Sequence, residues 1–415
     1  MTEPSNSHLW EPKYASRIAK MRASEIRELL KLLERPEIIS FAGGIPDPAL
    51  FPVEEIRSAY QAVLANAENA GRVLQYSISE GDPELRKWIV GYMASKGIKC
   101  DVENILITNG SQQGLEFLGK LLLSPNDTAL VEAPTYLGAL QAFSANEPVY
   151  DELKLENTNR TAGSYSQSAA EAGGEVKFAY VVPDFSNPSG ETLGLQARRN
   201  LLQLADELDV PVIEDSPYSE LRYDGKDVRA IQALDVETCG SLDASRVIHC
   251  GTFSKTFTPG LRVGWICASR QIIGRLTLIK QAGDLNSSAI NQSVMLHLAE
   301  ELFDGQVETA CNSYRLKRDA MLKALKVYMP DGVKWSKPEG GLFVWVTLPE
   351  ELNASDLLKK SVSEAKVAFV PGHAFFADDG GHNTMRLSFS LPAIETIEVG
   401  IKRLGALVKA EIMHQ

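Results

Sequence analysis

From Asn104 onward the chain alternates short β-rich runs with longer stretches of helical periodicity, and this alternation limits the possible folds more than any other feature. NILIT is followed by SQQGLEFLGKLLL, and TALVEA by TYLGALQAFSAN. Further short runs, each rich in β-branched residues and bounded by turn formers, are KFAYVVP, VPVIED, RVIHCG and RVGWICA. A strand that leaves a sheet through a helix and returns beside itself makes a βαβ unit, so these runs predict an α/β domain on a mostly parallel sheet. Ligands of such sheets collect at the carboxyl ends of the strands. The residues that follow each run are therefore the first place to look for chemistry.

Three other regions surround this core. Residues 17–34 read as an amphipathic helix, with Ile18, Met21, Ile26, Leu29, Leu30 and Leu33 at helical spacings. SFAGGIPDPALFP, from Ser40, is too rich in Gly and Pro for regular structure. After about residue 285 a long helix leads into a smaller α/β unit with GGLFVWVTLP and MRLSFS as strands. The expected division is an N-terminal arm and helix at 1–45, a large domain at 46–290 and a small C-terminal domain at 291–415. A net charge of -12, without a cluster of Lys and Arg, argues against a polyanionic partner such as nucleic acid. Cys100, Cys239, Cys250, Cys267 and Cys311 are scattered and form no CxxC pair, so neither a disulfide framework nor a metal site is expected, and a reducing compartment fits. The polar first residues and the lack of a long apolar run predict a cytoplasmic protein with no membrane partner.

GTFSKTFTPGLRVGW places Lys255 directly after a strand, among Thr252, Ser254 and Thr256 and close to Arg262. It reads either as a surface lysine in a hydroxyl-rich turn or as a buried amine whose lowered pKa lets it form an imine with an aldehyde. Asp215, ending VPVIED, reads as a turn cap or as a buried carboxylate beside a cation, while Glu214 points to the opposite face of that strand. Gly110, Ser111 and Gln112 lie at a strand-to-helix turn, as a helix cap or an anion cradle. Arg386, in MRLSFS, is a strand arginine in a surface ion pair or a planar clamp for a carboxylate.

Taken in order, these motifs together with LQYSISEGDPELR, APTYLGAL, PDFSNPSG and EDSPY resemble the fold-type I, class I/II aminotransferases over nearly the whole chain. The resemblance is closest to the 2-aminoadipate and kynurenine aminotransferase subgroup. It implies the PLP-dependent transferase fold, with a seven-stranded sheet, and pyridoxal 5′-phosphate carried by Lys255. It also implies transfer of an α-amino group between an L-amino acid and a 2-oxo acid by ping-pong kinetics, with Lys255 as the base. By resemblance Asp215 pairs with the pyridine nitrogen and Tyr136 stacks on the ring. Asn187 and Tyr218 meet its phenolic oxygen, while Gly110, Ser111, Gln112, Thr252, Ser254 and Arg262 surround the phosphate. Tyr76 reaches the phosphate of a second subunit, which implies a homodimer with shared active sites. Arg386 takes the substrate α-carboxylate, and Gly44 lets backbone approach the substrate. Ser24 and Arg27, in ASEIREL, match a segment lining the distal pocket. There Arg27 either binds the far carboxylate of glutamate or 2-aminoadipate or is an exposed helix arginine paired with Glu28 or Glu34. Leucine, aromatic amino acids and kynurenine are further candidate donors. SNPSG stands where the family usually has QNPTG, and Thr252 where it has serine. Two other readings remain: a β-lyase or decarboxylase on the same fold, and a ligand-sensing effector module. The acidic charge disfavours the second.

Overall fold

The computed structural model describes residues 10–20, 36–65, 67–155 and 160–414. Most of the helix expected over 17–34, with Ser24 and Arg27, lies outside the described residues; Ser16–Lys20 forms a 3-10 turn.

A short strand, β1 (Ile39–Ser40), precedes the main sheet, whose strands are β2 (Ile105–Thr108), β3 (Thr128–Val131), β4 (Val149–Glu152), β5 (Val176–Val181), β6 (Val212–Asp215), β7 (Val247–Thr252) and β8 (Gly264–Cys267). Their spatial order is β2-β8-β7-β6-β5-β3-β4. All neighbours pair in parallel except β8, which runs antiparallel to both β2 and β7. Each expected run thus becomes a strand, and the structure adds β4, whose VYDE is only half-buried at the sheet edge and lacks an apolar signature.

Both faces of this sheet are covered, and the two-residue period of a strand decides which side chains meet on each. On β6, Val212 packs in one apolar cluster with Val181, Leu201 and Val247. Ile213 packs in another with Phe178, Tyr180, Leu115 and Ile248. Asp215 therefore shares the face of Ile213 and Tyr180, and Glu214 that of Val212. Glu214 is buried and accepts from the N–H groups of Ile231 (2.8 Å) and Gln232 (3.0 Å), capping the helix Ile231–Cys239.

The smaller unit carries β9 (Lys334–Trp335), β10 (Phe343–Thr347), β11 (Val367–Ala368), β12 (Val370–Pro371) and β13 (Thr384–Ser388). β12-β13-β10-β9 form an antiparallel sheet, and β1 pairs in parallel with β11, which ties the chain before residue 41 to this unit. The 40-residue helix Ala289–Tyr328, about 60 Å long at the helical rise, joins the two units. Its Val294, Met295 and Leu298 pack with Leu85, Ile89 and Met93. Its Tyr314, Met321 and Leu325 join the cluster holding Phe343, Leu387 and Ile401. A cleft forms between these units. No helix among the described residues is long and apolar enough to cross a membrane.

Candidate active site

The carboxyl ends of β2, β3, β5, β6 and β7 converge on a cavity of about 240 Å³, closed on one side by β13 and the segment after β1. It brings together Gly44, Ser111, Gln112, Tyr136, Asn187, Asp215, Tyr218, Thr252, Ser254, Lys255, Arg262 and Arg386. Gly110 adjoins it as the residue before the helix Ser111–Leu122. Tyr76 does not line it and is 79% exposed.

Lys255 follows β7 by three residues and hydrogen-bonds the Gly44 carbonyl at 3.2 Å, with Nζ 5.8 Å from the Tyr218 ring centre. Burial, reinforced by the positive charges of Arg386 and Arg262 and partly offset by Asp215, brings its pKa down to about 8. Lys255 is half-buried and lines the cavity. An amine held near 8 is about one-tenth unprotonated at pH 7, against roughly three parts in ten thousand at the ordinary value of 10.5.

Asp215 is buried, and burial raises its pKa to about 6. Its Oδ2 accepts from the Tyr180 hydroxyl at 2.9 Å, while Oδ1 has no hydrogen-bond partner. A buried carboxylate oxygen left unpaired costs free energy unless a donor reaches it. Oδ1 is therefore oriented for a cationic donor in the cavity. The sequence reading missed Tyr180, whose only available signal was its position on the Asp215 face of the neighbouring strand.

At the opposite end, helix N–H groups, hydroxyls and a guanidinium gather. Gly110 has φ 78°, and a Cβ there would lie 2.5 Å from Arg262 Nη2. Glycine is required so that the arginine can lie across the turn. Arg262, itself left-handed at φ 54°, donates to the Asn109 carbonyl at 2.9 Å. Thr252 Oγ1 and Ser254 Oγ are 2.9 Å apart. Together with the first N–H groups of the helix Ser111–Leu122 this is an anion cradle.

Arg386 is 1% exposed. It donates through Nη1 to Asn187 Oδ1 at 2.7 Å and through Nη2 to the Ala42 carbonyl at 2.8 Å, and it lies over the rings of Phe343 and Phe375 at 4.3 and 5.0 Å. Nε is buried without a partner. Burial lowers its pKa to about 10, which leaves it fully charged at neutral pH. No carboxylate neutralises it in the described structure, so it is a cation waiting for an anion, and the surface-ion-pair reading fails. Between these poles stand the Tyr136 ring, whose hydroxyl meets Gln112 Oε1 at 3.3 Å and is raised to about 12 by burial, and the Tyr218 hydroxyl, which faces the Asn187 amide. The arrangement can bind a flat ring with a phosphate at one end and a proton-bearing nitrogen at the other, beside an amine and a carboxylate receptor.

Comparison with known proteins points the same way. The model of the family "Aminotransferase class I and II" matches residues 36–404. Aromatic-amino-acid aminotransferase 1 of Thermococcus litoralis is 42% identical over 97% of this chain and 95% of its own. The 2-aminoadipate transaminase of Thermus thermophilus is 38% identical over 96% of this chain and 97% of its own. The solved structure of Pyrococcus horikoshii kynurenine aminotransferase in complex with PMP matches with a TM-score of 0.89 at 40% identity, covering 98% of this chain and 100% of that one.

Proposed function

This chain belongs to the class I and II aminotransferases, and from that premise we propose that Lys255, Asp215 and Arg386 carry its reaction. The enzyme moves an α-amino group between an L-amino acid and a 2-oxo acid, with pyridoxal 5′-phosphate as cofactor. The residues present fit that group: the unpaired Asp215 Oδ1 matches its protonated ring nitrogen, and the Cβ-free turn at Gly110 under Arg262 matches its phosphate. When bound, the cofactor supplies an aldehyde that condenses with amines and a ring that withdraws the electrons freed at the substrate α-carbon.

The chain's own residues do the rest. Asp215 would hold the proton on the ring nitrogen, and that positive charge would in turn draw the carboxyl, raised by burial, back down. Tyr136 packs on the ring face, while Asn187 and Tyr218 donate toward its phenolic oxygen. Ser111, Gln112, Thr252, Ser254 and Arg262 fix the phosphate. Arg386 grips the α-carboxylate with a planar, charge-assisted fork, and Gly44 leaves room beside it, since a Cβ there would lie 3.0 Å from Phe343 Cζ. With the substrate so oriented, Lys255 Nζ would be the group that takes up the α-proton and holds it for return within the cavity. Pairing the amine with a cationic carboxylate receptor in one cavity is the observation that carries this reading.

Glutamate with 2-oxoglutarate is proposed as one substrate pair. The names of the relatives support 2-aminoadipate, kynurenine and aromatic amino acids as other donors. We further read the protein as a cytoplasmic homodimer. Tyr76, exposed beside Leu74 and Ile78, is free to reach a second copy, and large and small domains would divide near residue 290. Mixing the cofactor-loaded protein with a panel of L-amino acids tests the proposal. The visible band of the lysine-linked cofactor should convert to the amine form, and a 2-oxo acid should restore it. A Lys255→Ala protein that turned over at the original rate refutes the assigned role, and release of ammonia or carbon dioxide without amino transfer refutes the reaction.

A further inference from the structure

A lysine without exposed surface lies beside the turn that opens the helix Ser111–Leu122, and the reaction as derived gives it no task. Lys280 sits on the helix Arg270–Gly283, on the buried face with Ile273, Leu276 and Thr277. An ammonium taken out of water is tolerated only when paired and hydrogen-bonded. Its Nζ lies 3.0 Å from both oxygens of Asp284, 2.9 Å from Ser287 Oγ and 3.4 Å from Gln113 Oε1. Asp284 Oδ2 also accepts from Asn109 Nδ2 at 2.6 Å and Gln113 Nε2 at 2.8 Å. Gln113 Oε1 in turn accepts the Asn109 backbone N–H at 2.9 Å, and the Asn109 carbonyl accepts from Arg262 Nη2 at 2.9 Å. Asn109 is thus held at its side chain, its N–H and its carbonyl, and the chain of bonds ends on the Gly110 turn and on Arg262.

We propose that the Lys280–Asp284 pair is a positioning device that keeps the anion cradle formed before its ligand arrives. The inference rests on the reading of that cradle as the cofactor phosphate site. Groups that orient a binding shell act through geometry, so their loss weakens the ligand contact without removing it. The phosphate end alone depends on Asn109 and Arg262; the ring end is held by Asp215 and Tyr136.

The test compares two probes on the full-length protein freed of cofactor: pyridoxal phosphate, and pyridoxal, the same ring without phosphate. Lys280→Met and Asp284→Asn should each weaken pyridoxal phosphate about tenfold or more and leave pyridoxal within about twofold. Thermal stabilisation by inorganic phosphate should shrink in parallel. The double variant Lys280→Met/Asp284→Asn leaves no unpaired buried charge, so it decides the matter if a single variant does not fold, and the same selective loss is expected. An equal loss for both probes, or no loss, overturns the proposal while the cradle reading stands. If the unaltered protein itself bound pyridoxal as tightly as pyridoxal phosphate, the cradle reading would fail and take the proposal with it.

Discussion

Replacing Asp215 by asparagine should stabilise the cofactor-free protein and cripple the enzyme. The carboxyl is 1% exposed, and burial raises its pKa from 3.8 to about 6. At ~1.4 kcal/mol per unit, a rise of about two units puts the cost of ionising it there near 3 kcal/mol. Because the folded value lies above the unfolded one, the favourable contribution is complete below about pH 3.8 and is lost as pH rises through about 6. At pH 7 to 8 the unloaded protein therefore bears the whole cost. The substituted amide would carry no charge, and its oxygen could still accept from Tyr180. In urea unfolding of the unloaded proteins, Asp215→Asn should match the original at pH 4, pull ahead between pH 4 and 6, and level off about 3 kcal/mol more stable. With cofactor bound the order should reverse, since the ring proton then pairs with the carboxylate, and kcat should fall by about 10²–10³. A variant less stable than the original at pH 8 without cofactor, or a gap that does not change with pH, refutes the reasoning. A functional group held at a cost to the empty fold is the trade expected of an active site.

Arg386→Lys keeps a charge but loses the fork, so kcat/KM for L-amino acids should fall by ~10–150-fold, the loss of one charge-assisted hydrogen bond of ~1.5–3 kcal/mol. The corresponding amine without its carboxylate is the control, and an equal loss for that amine counts against the clamp. Gly110→Ala adds a Cβ 2.5 Å from Arg262 Nη2 at a residue with φ 78° and ψ 165°, a conformation open essentially to glycine alone. It should cost about 1–3 kcal/mol of stability from the backbone and, by displacing Arg262, weaken pyridoxal phosphate more than pyridoxal. Calorimetric titration with both ligands reads the difference.

How much of this was legible beforehand depends on the range of each interaction. Periodicity is local, so VPVIED, RVIHCG and KFAYVVP could be read as buried strands, and the alternation within VPVIED separated Asp215 from Glu214 correctly. The motif around Lys255 likewise drew attention to a lysine that the fold places in the cavity. VYDE escaped because an edge strand need not bury its side chains, and most of the helix expected over 17–34, with Ser24 and Arg27, lies outside the described residues. Tyr180 escaped because its partner is 35 residues away, across two strands whose register no local pattern encodes. Lys280 carries no local signal in the sequence; only the packing of its helix against the helix Ser111–Leu122 removes it from water and turns it toward Asn109.

Residue order alone made the buried strands of the core legible, and with them which side chains lie on which face, because those follow from two- and 3.6-residue periods. Tertiary structure decided the pKa values of Lys255, Asp215 and Arg386 and the clamp on the Asn109–Gly110 turn. Desolvation and charge pairing depend on groups brought close from distant parts of the chain, and their strength is set by the water that folding removes.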